Sequence, residues 1–138
     1  MDLSTTLRDD ANTPTRMVLR HYATGLDLED EEGKKVALLV MGADSDAAKR
    51  CDRDYKRRMR EAAVRRRDGQ IPPEMWEEYV IEMAVATTVG WEHASYKGTA
   101  EFSADLIRQF YRAEPWALEQ HQEFIADRAH FSGASKTA

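Results

Sequence analysis

Residues 90–131 read GWEHASYKGTAEFSADLIRQFYRAEPWALEQHQEFIADRAHF, and this stretch decides the fold. It holds two of the three tryptophans, Trp91 and Trp116, and most of the aromatic mass. A loop over 92–101 leads into two short helices separated by a proline. Ser103 can cap the first helix by accepting a bond from a free backbone N–H in its first turn. Asp105 follows, where the helix dipole favours negative charge. Phe102 and Ile107 have the spacing of a hydrophobic staple. Leu106, Ile107, Phe110 and Tyr111 give this helix an apolar face. Glu114-Pro115 stops it and starts the next, since proline is tolerated at a first helical position. Trp116, Ala117, Phe124, Ile125 and Phe131 are the expected apolar side of the second helix.

Working back from Gly90, the helix opened by Pro72-Pro73 carries Met75, Trp76, Tyr79, Val80, Met83, Ala84 and Thr87 on its apolar face. It is the expected central core helix and ends at Val89-Gly90. Before it, a basic helix over 46–67 is capped by Ser45 or Asp44. It places Ala48, Cys51, Tyr55, Met59, Ala62 and Ala63 on one stripe. Its opposite side carries Lys49, Arg50, Arg53, Lys56, Arg57, Arg58 and Arg60. The aliphatic run over 36–41 predicts a strand covered on both faces. Residues 17–22 alternate as a strand, residues 26–28 as a short one, and the acidic residues 29–33 end in a glycine turn. A bare hairpin is marginal in water, so the helices must cover it. The expected architecture is one α+β domain over 1–131. A small antiparallel hairpin or meander (16–42) precedes about four helices (44–131). Residues 132–138 are expected to be a flexible tail. Within 1–15, a turn of helix is expected around Leu3 and Leu7.

The chain of 138 residues carries a net charge of −5. The negative total disfavours attraction to nucleic acid or anionic membranes. One cysteine, Cys51, excludes an internal disulfide and a multi-cysteine zinc site. No apolar run is long enough to span a membrane, and the polar, acidic start does not read as a secretory signal.

No constellation points to catalysis. His21, His93, His121 and His130 lack metal-ligand spacing, and neither a metal nor a cofactor is expected. Lys49, Arg50 and Arg53 could activate Cys51, but no positioned base accompanies it, so it reads as a small core residue. Asp9-Asp10 and the acids at 29–32 sit in expected loops, where they keep the surface solvated. There is no phosphate-cradling loop or nucleophile elbow, so no enzyme is expected. Segment 44–68 has ten Lys or Arg against six Asp or Glu. Lys49, Arg50, Arg53, Lys56, Arg57 and Arg60 form a candidate binding face, interrupted by Asp52, Asp54 and Glu61. That face reads first as a solvated surface paired with acidic segments of the same or another subunit. Trp76 and Tyr79 are expected in the core. Trp91, Phe102, Tyr111, Trp116 and Phe131 are too many for one small core, so some should anchor an interface.

The run "GWE…FSADLIRQFY…EPW…FIADRAHF" resembles the tail assembly chaperones of long-tailed bacteriophages and their prophage relatives. The resemblance continues upstream in "ATGLDLEDEEGKKVALLVMGADSDA" and covers about residues 17–131. It implies a non-enzymatic protein of the bacterial host cytoplasm. Such a protein binds and solubilises the tape measure protein, presents it to tail tube subunits, and is absent from the finished virion. It also implies that a longer frameshifted form would extend from the tail at Ser132. Partner-binding residues would be Trp91, Phe102, Phe110, Tyr111, Trp116, Phe124 and Phe131, with self-association possible. Two alternatives stay open: a small nucleic-acid-binding accessory protein using the basic helix, and a structural tail or connector subunit.

Overall fold

The aliphatic run that reads as a doubly covered strand is the middle strand of a sheet. In the computed structural model, which describes residues 9–131, β1 (Thr15–Val18), β2 (Ala37–Val40) and β3 (Thr88–Glu92) pair antiparallel in the order β1-β2-β3. Ala37, Leu38 and Val40 are buried and Leu39 is half-buried, so both faces of β2 are covered. With four helices, this is the expected α+β fold.

β3 corrects the sequence reading, which placed a helix end and a loop there. The helix stops at Thr87 because Thr87, Thr88 and Val89 are β-branched and favour extended backbone. β2 also needs a partner on its second edge. Val40 pairs with Thr88 and Leu39 with Gly90, which leaves Val89 as a bulge, 42% exposed. A Cβ at Gly90 would lie 3.1 Å from Leu39 Cδ1, so any larger residue would have to push that side chain aside by a few tenths of an ångström.

The strand expected over 17–22 is shorter and shifted. Beyond Val18, residues 19–36 form an arm of three limbs, with single bridges at Arg20–Asp27 and Glu29–Lys35. Three backbone bonds close a ring within it: Leu19 N–H to Val36 O, Leu28 N–H to Leu19 O, and Val36 N–H to Leu28 O, at 2.8–2.9 Å. The last turn is made by Asp30, whose carboxylate accepts from the N–H of Glu32 (2.9 Å) and Lys34 (2.8 Å). These backbone donors, Lys34 first, hold the Asp30 carboxyl below the usual range.

The end of β1's outer edge is met by a side chain. Gln120 Nε2 donates to Val18 O (2.7 Å), and Arg20 N–H donates to Gln120 Oε1 (3.1 Å).

α1 (Asp46–Arg65) begins at Ser45, a buried residue whose hydroxyl accepts from Ala48 N–H at 3.2 Å. Its core stripe is as read, with Ala48 and Met59 buried and Cys51, Tyr55, Ala62 and Ala63 half-buried. α2 (Pro73–Thr87) packs along it. Only the second half of α2 is central, where Ala84, Val85 and Thr87 are buried. Trp76 is not a core residue. It is 47% exposed and edge-on to Tyr79, in the first half of α2, ahead of the buried residues at 84–87. Tyr79 is half-buried, and its hydroxyl donates to Asp52.

α3 (Ala104–Ala113) starts at Ser103, which accepts from Leu106 N–H at 3.2 Å. Phe102 and Ile107 join the same apolar cluster, as a staple requires. Arg108 forms a fork onto Glu82 (2.8 and 3.1 Å) and Arg112 pairs with Glu78 (3.0 Å), tying α3 to α2. α4 (Pro115–Ala126) follows directly, with Glu114 ending one helix and starting the next. Phe131 is not on α4. The helix stops at Ala126, the Asp127 side chain accepts from Ala129 N–H (3.0 Å), and a 3-10 turn (Arg128–Phe131) sends Phe131 back into the core. The turn expected at Leu3 to Leu7 and the 132–138 tail lie outside the described residues.

Replacing Ser45 by Ala removes a buried cap and is expected to destabilise the protein by about 1–2 kcal/mol. Urea unfolding should show a lower midpoint with an unchanged slope.

Candidate functional site

At the end of the sheet where β1 gives way to the arm, the ring of backbone bonds aims Leu19, Leu28 and Val36 into one apolar groove of about 300 Å³. Leu38 and Trp91, directly opposite each other across β2 and β3, also line it. Phe110 near the end of α3 and Trp116 at the start of α4 add aromatic wall, and residues 93–96 form a lip. The proline break between the two helices brings these two rings together at 5.9 Å and 89°. Tyr96 stands edge-on to Phe110 at 5.6 Å. Tyr96 is fixed by a two-residue turn in which it exchanges both backbone bonds with Thr99. Lys97 (φ 51°) and Gly98 (φ 79°) both take the left-handed backbone that such a turn demands.

Both indole N–H groups are committed at the margins. Trp91 Nε1 donates to Ala100 O at 2.8 Å and Trp116 Nε1 to Glu114 Oε2 at 2.7 Å. What the tryptophans add to the groove is therefore apolar ring surface. A shallower hollow, lined in part by Tyr22 and Glu114, shares Leu28, Phe110 and Trp116 with the groove and continues it outward. Apart from His93, Ser95 and Tyr96, every side chain lining the groove is apolar or the indole of a tryptophan.

The partner-binding residues named from the sequence divide four ways. Trp91, Phe110 and Trp116 converge on the groove. Phe102 stands behind Trp91, edge-on at 5.3 Å. Tyr111 and Phe131 are corrections: they are 1% and 6% exposed and belong to the core, where no partner reaches them. Phe124 lies elsewhere, stacked on His130 at 4.0 Å beside a polar hollow lined by Arg20, Glu123 and Asp127. Sequence reasoning missed Leu19, Leu28, Val36 and Tyr96. The signal for Leu28 was present in the alternation Leu26-Asp27-Leu28-Glu29.

Lys49, Arg50, Arg53, Lys56, Arg57 and Arg60 are all exposed on α1. Among the described residues, the ion pairs these six make are with Asp52 and Asp54 of the same helix. Cys51 is not activated by its basic neighbours. Burial pushes the thiol up, and Glu82, Asp52 and Asp54 push it the same way. Among the described residues no three His, Cys, Asp or Glu side chains gather as a metal-binding group, and no helix is long and apolar enough to cross a membrane.

Behind the groove, two polar pairs lock α3 and α4 onto the α2–β3 junction. Thr87 Oγ1 donates to Met83 O (2.8 Å) and meets His121 Nε2 (2.8 Å). Thr88 Oγ1 donates to Ala84 O (2.7 Å) and meets the Tyr111 hydroxyl (2.8 Å). Each threonine has a single proton, already given to a carbonyl, so His121 and Tyr111 supply theirs. Burial holds the His121 pKa down at about 4 and pushes the Tyr111 hydroxyl up.

Comparison with protein-family models, with curated proteins and with solved structures returns no match to this chain.

His121 is neutral in the folded protein down to about pH 4 but titrates near its ordinary value of 6.5 when unfolded. The unfolded chain thus binds more protons between these values, and its contribution is whole above pH 6.5 and lost as pH falls towards 4. Denaturation at a series of pH values should show a loss of up to about 3 kcal/mol from this group. His121→Gln should remove that component of the slope.

Proposed function

We propose that the groove takes apolar side chains from one face of a helical partner, and that the protein is a phage tail assembly chaperone. The observation that carries the binding role is the groove itself, with Leu19, Leu28 and Val36 facing the Phe110–Trp116 pair across about 300 Å³. That volume is at the small end of ligand pockets and suits a few side chains of a docked helix better than a whole cofactor. Helix-in-groove recognition uses such anchors at i, i+3 or i+4 and i+7.

The resemblance supplies the partner. In this reading the chain holds the tape measure protein in the host cytoplasm, covers part of its apolar stripe, and passes it to tail tube subunits. Physical chemistry supports the assignment in two ways. A long amphipathic helix aggregates when its apolar face is bare. A holder with a heavily charged exterior keeps the complex in solution. The groove's walls are held by backbone bonds and edge-on rings, so little ordering has to accompany docking.

The test is co-expression of the tape measure protein with this chain. Wild type is expected to keep the partner in the soluble fraction. Trp116→Ala and Leu28→Asp should each weaken capture by about tenfold or more. Trp76→Ala, on the far limb of α2, should leave capture unchanged. Undiminished capture by both groove variants, each shown to be folded by circular dichroism, would refute the groove as the docking site. Purified virions should lack the protein, and its presence there would favour a structural subunit.

A further inference from the structure

The two strongest charge concentrations in the described chain lie on different parts of the fold, and each has an exposed apolar side chain in it. On α1, Lys49, Arg53, Arg57, Arg60 and Val64 follow one another at intervals of three or four residues and so share a face. All are exposed, and Val64 is 85% exposed, the most of any large apolar residue described. The helix carries eight Lys or Arg against four Asp or Glu. On the arm, residues 27–32 hold five carboxylates, and Leu26 before them is 70% exposed. Only Lys34 and Lys35 answer those carboxylates from within the arm, and Lys35 alone is shared by Asp27 (3.4 Å) and Glu29 (2.8 Å).

Within one chain these faces do not meet. β2 leaves for α1 at its Val40 end, and Met41 N–H bonds to Thr87 O where α2 returns, so the α1–α2 hairpin is rooted at that end of the sheet. The arm springs from the opposite end, where Ala37 pairs with Glu92.

We infer that the Lys49–Arg53–Arg57–Arg60–Val64 face of one copy docks on the 26–32 segment of a second copy. An apolar contact ringed by opposite charges is the usual anatomy of a reversible interface. The two patches differ, so the contact is between unlike surfaces. It closes into a two-fold pair if each arm reaches the other's α1, and otherwise runs head to tail. A second copy is chosen over nucleic acid because it offers an exposed apolar side chain, Leu26, beside its carboxylates to meet Val64, and because the chain's net charge of −5 disfavours a polyanion. The groove plays no part, so this association stands or falls separately from the proposed function.

Sedimentation of nuclease-treated protein tests it. The wild type should associate at about 0.1 M salt and weaken at least about tenfold towards about 1 M, as the Debye length falls from roughly 10 to 3 Å. A variant with Arg53→Glu, Arg57→Glu and Arg60→Glu should be monomeric, as should one with Glu31→Lys and Glu32→Lys. All five side chains are exposed, so both variants should keep the wild-type circular dichroism. Mixed together, the two should associate again, since each supplies the charge the other lost. A wild type that stays monomeric at low salt, self-association by either variant, or a mixture that remains monomeric would overturn the inference. So would association that requires added nucleic acid.

Discussion

A strand that is apolar on both faces and only four residues long constrains everything around it. β2 cannot be exposed on either face, and its backbone cannot be left unpaired on either edge. β1 satisfies one edge from the same local hairpin. The other edge is satisfied from far along the chain by β3, which is why α2 gives way to a strand at Thr88. The aromatic residues of α3 and α4 then build the core and groove against this sheet, and the arm extends it at one end. The groove is therefore a by-product of covering β2: its lining includes Leu38 of that strand, and its other residues come from the elements assembled to cover it.

Much of the helical part could be read directly because its signals are local. Ser45 and Ser103 each accept the bond expected of a cap, and Glu114-Pro115 divides α3 from α4. β3 was hidden because its partner strand, Ala37–Val40, lies far upstream and its own sequence, with Gly90 in the middle, reads as a breaker. Phe131 was misplaced because its spacing continues the α4 pattern, whereas the Asp127 turn that overrides the pattern is a side-chain effect. Trp76 was misplaced because burial was inferred from periodicity alone. The stripe that contains it is buried only in the second half of α2.

The groove was legible in halves. Its aromatic half was visible as residue types, though nothing in the spacing separated Phe110 and Trp116, which line it, from Tyr111 and Phe131, which do not. The aliphatic half was not visible, because Leu19, Leu28 and Val36 lie far apart in sequence and are joined only by the bond ring. The threonine pairs at the α2–β3 junction belong to the same lesson. Thr87 and Thr88 each bridge a helix carbonyl and an aromatic side chain from a later helix. They set the seating of α3 and α4 on the sheet, and with it the position of the Phe110–Trp116 wall.

Gln120 does on β1 what a neighbouring strand would otherwise do. Its carboxamide presents one donor and one acceptor to Val18 O and Arg20 N–H, the pairing a peptide group would offer. An open strand edge is a template on which other chains can add and grow into insoluble fibres. Here the Val18–Arg20 end of that template is blunted by a single side chain delivered from a helix. A foreign strand adding at that point would first have to evict a helix side chain that already makes both of the bonds it could offer.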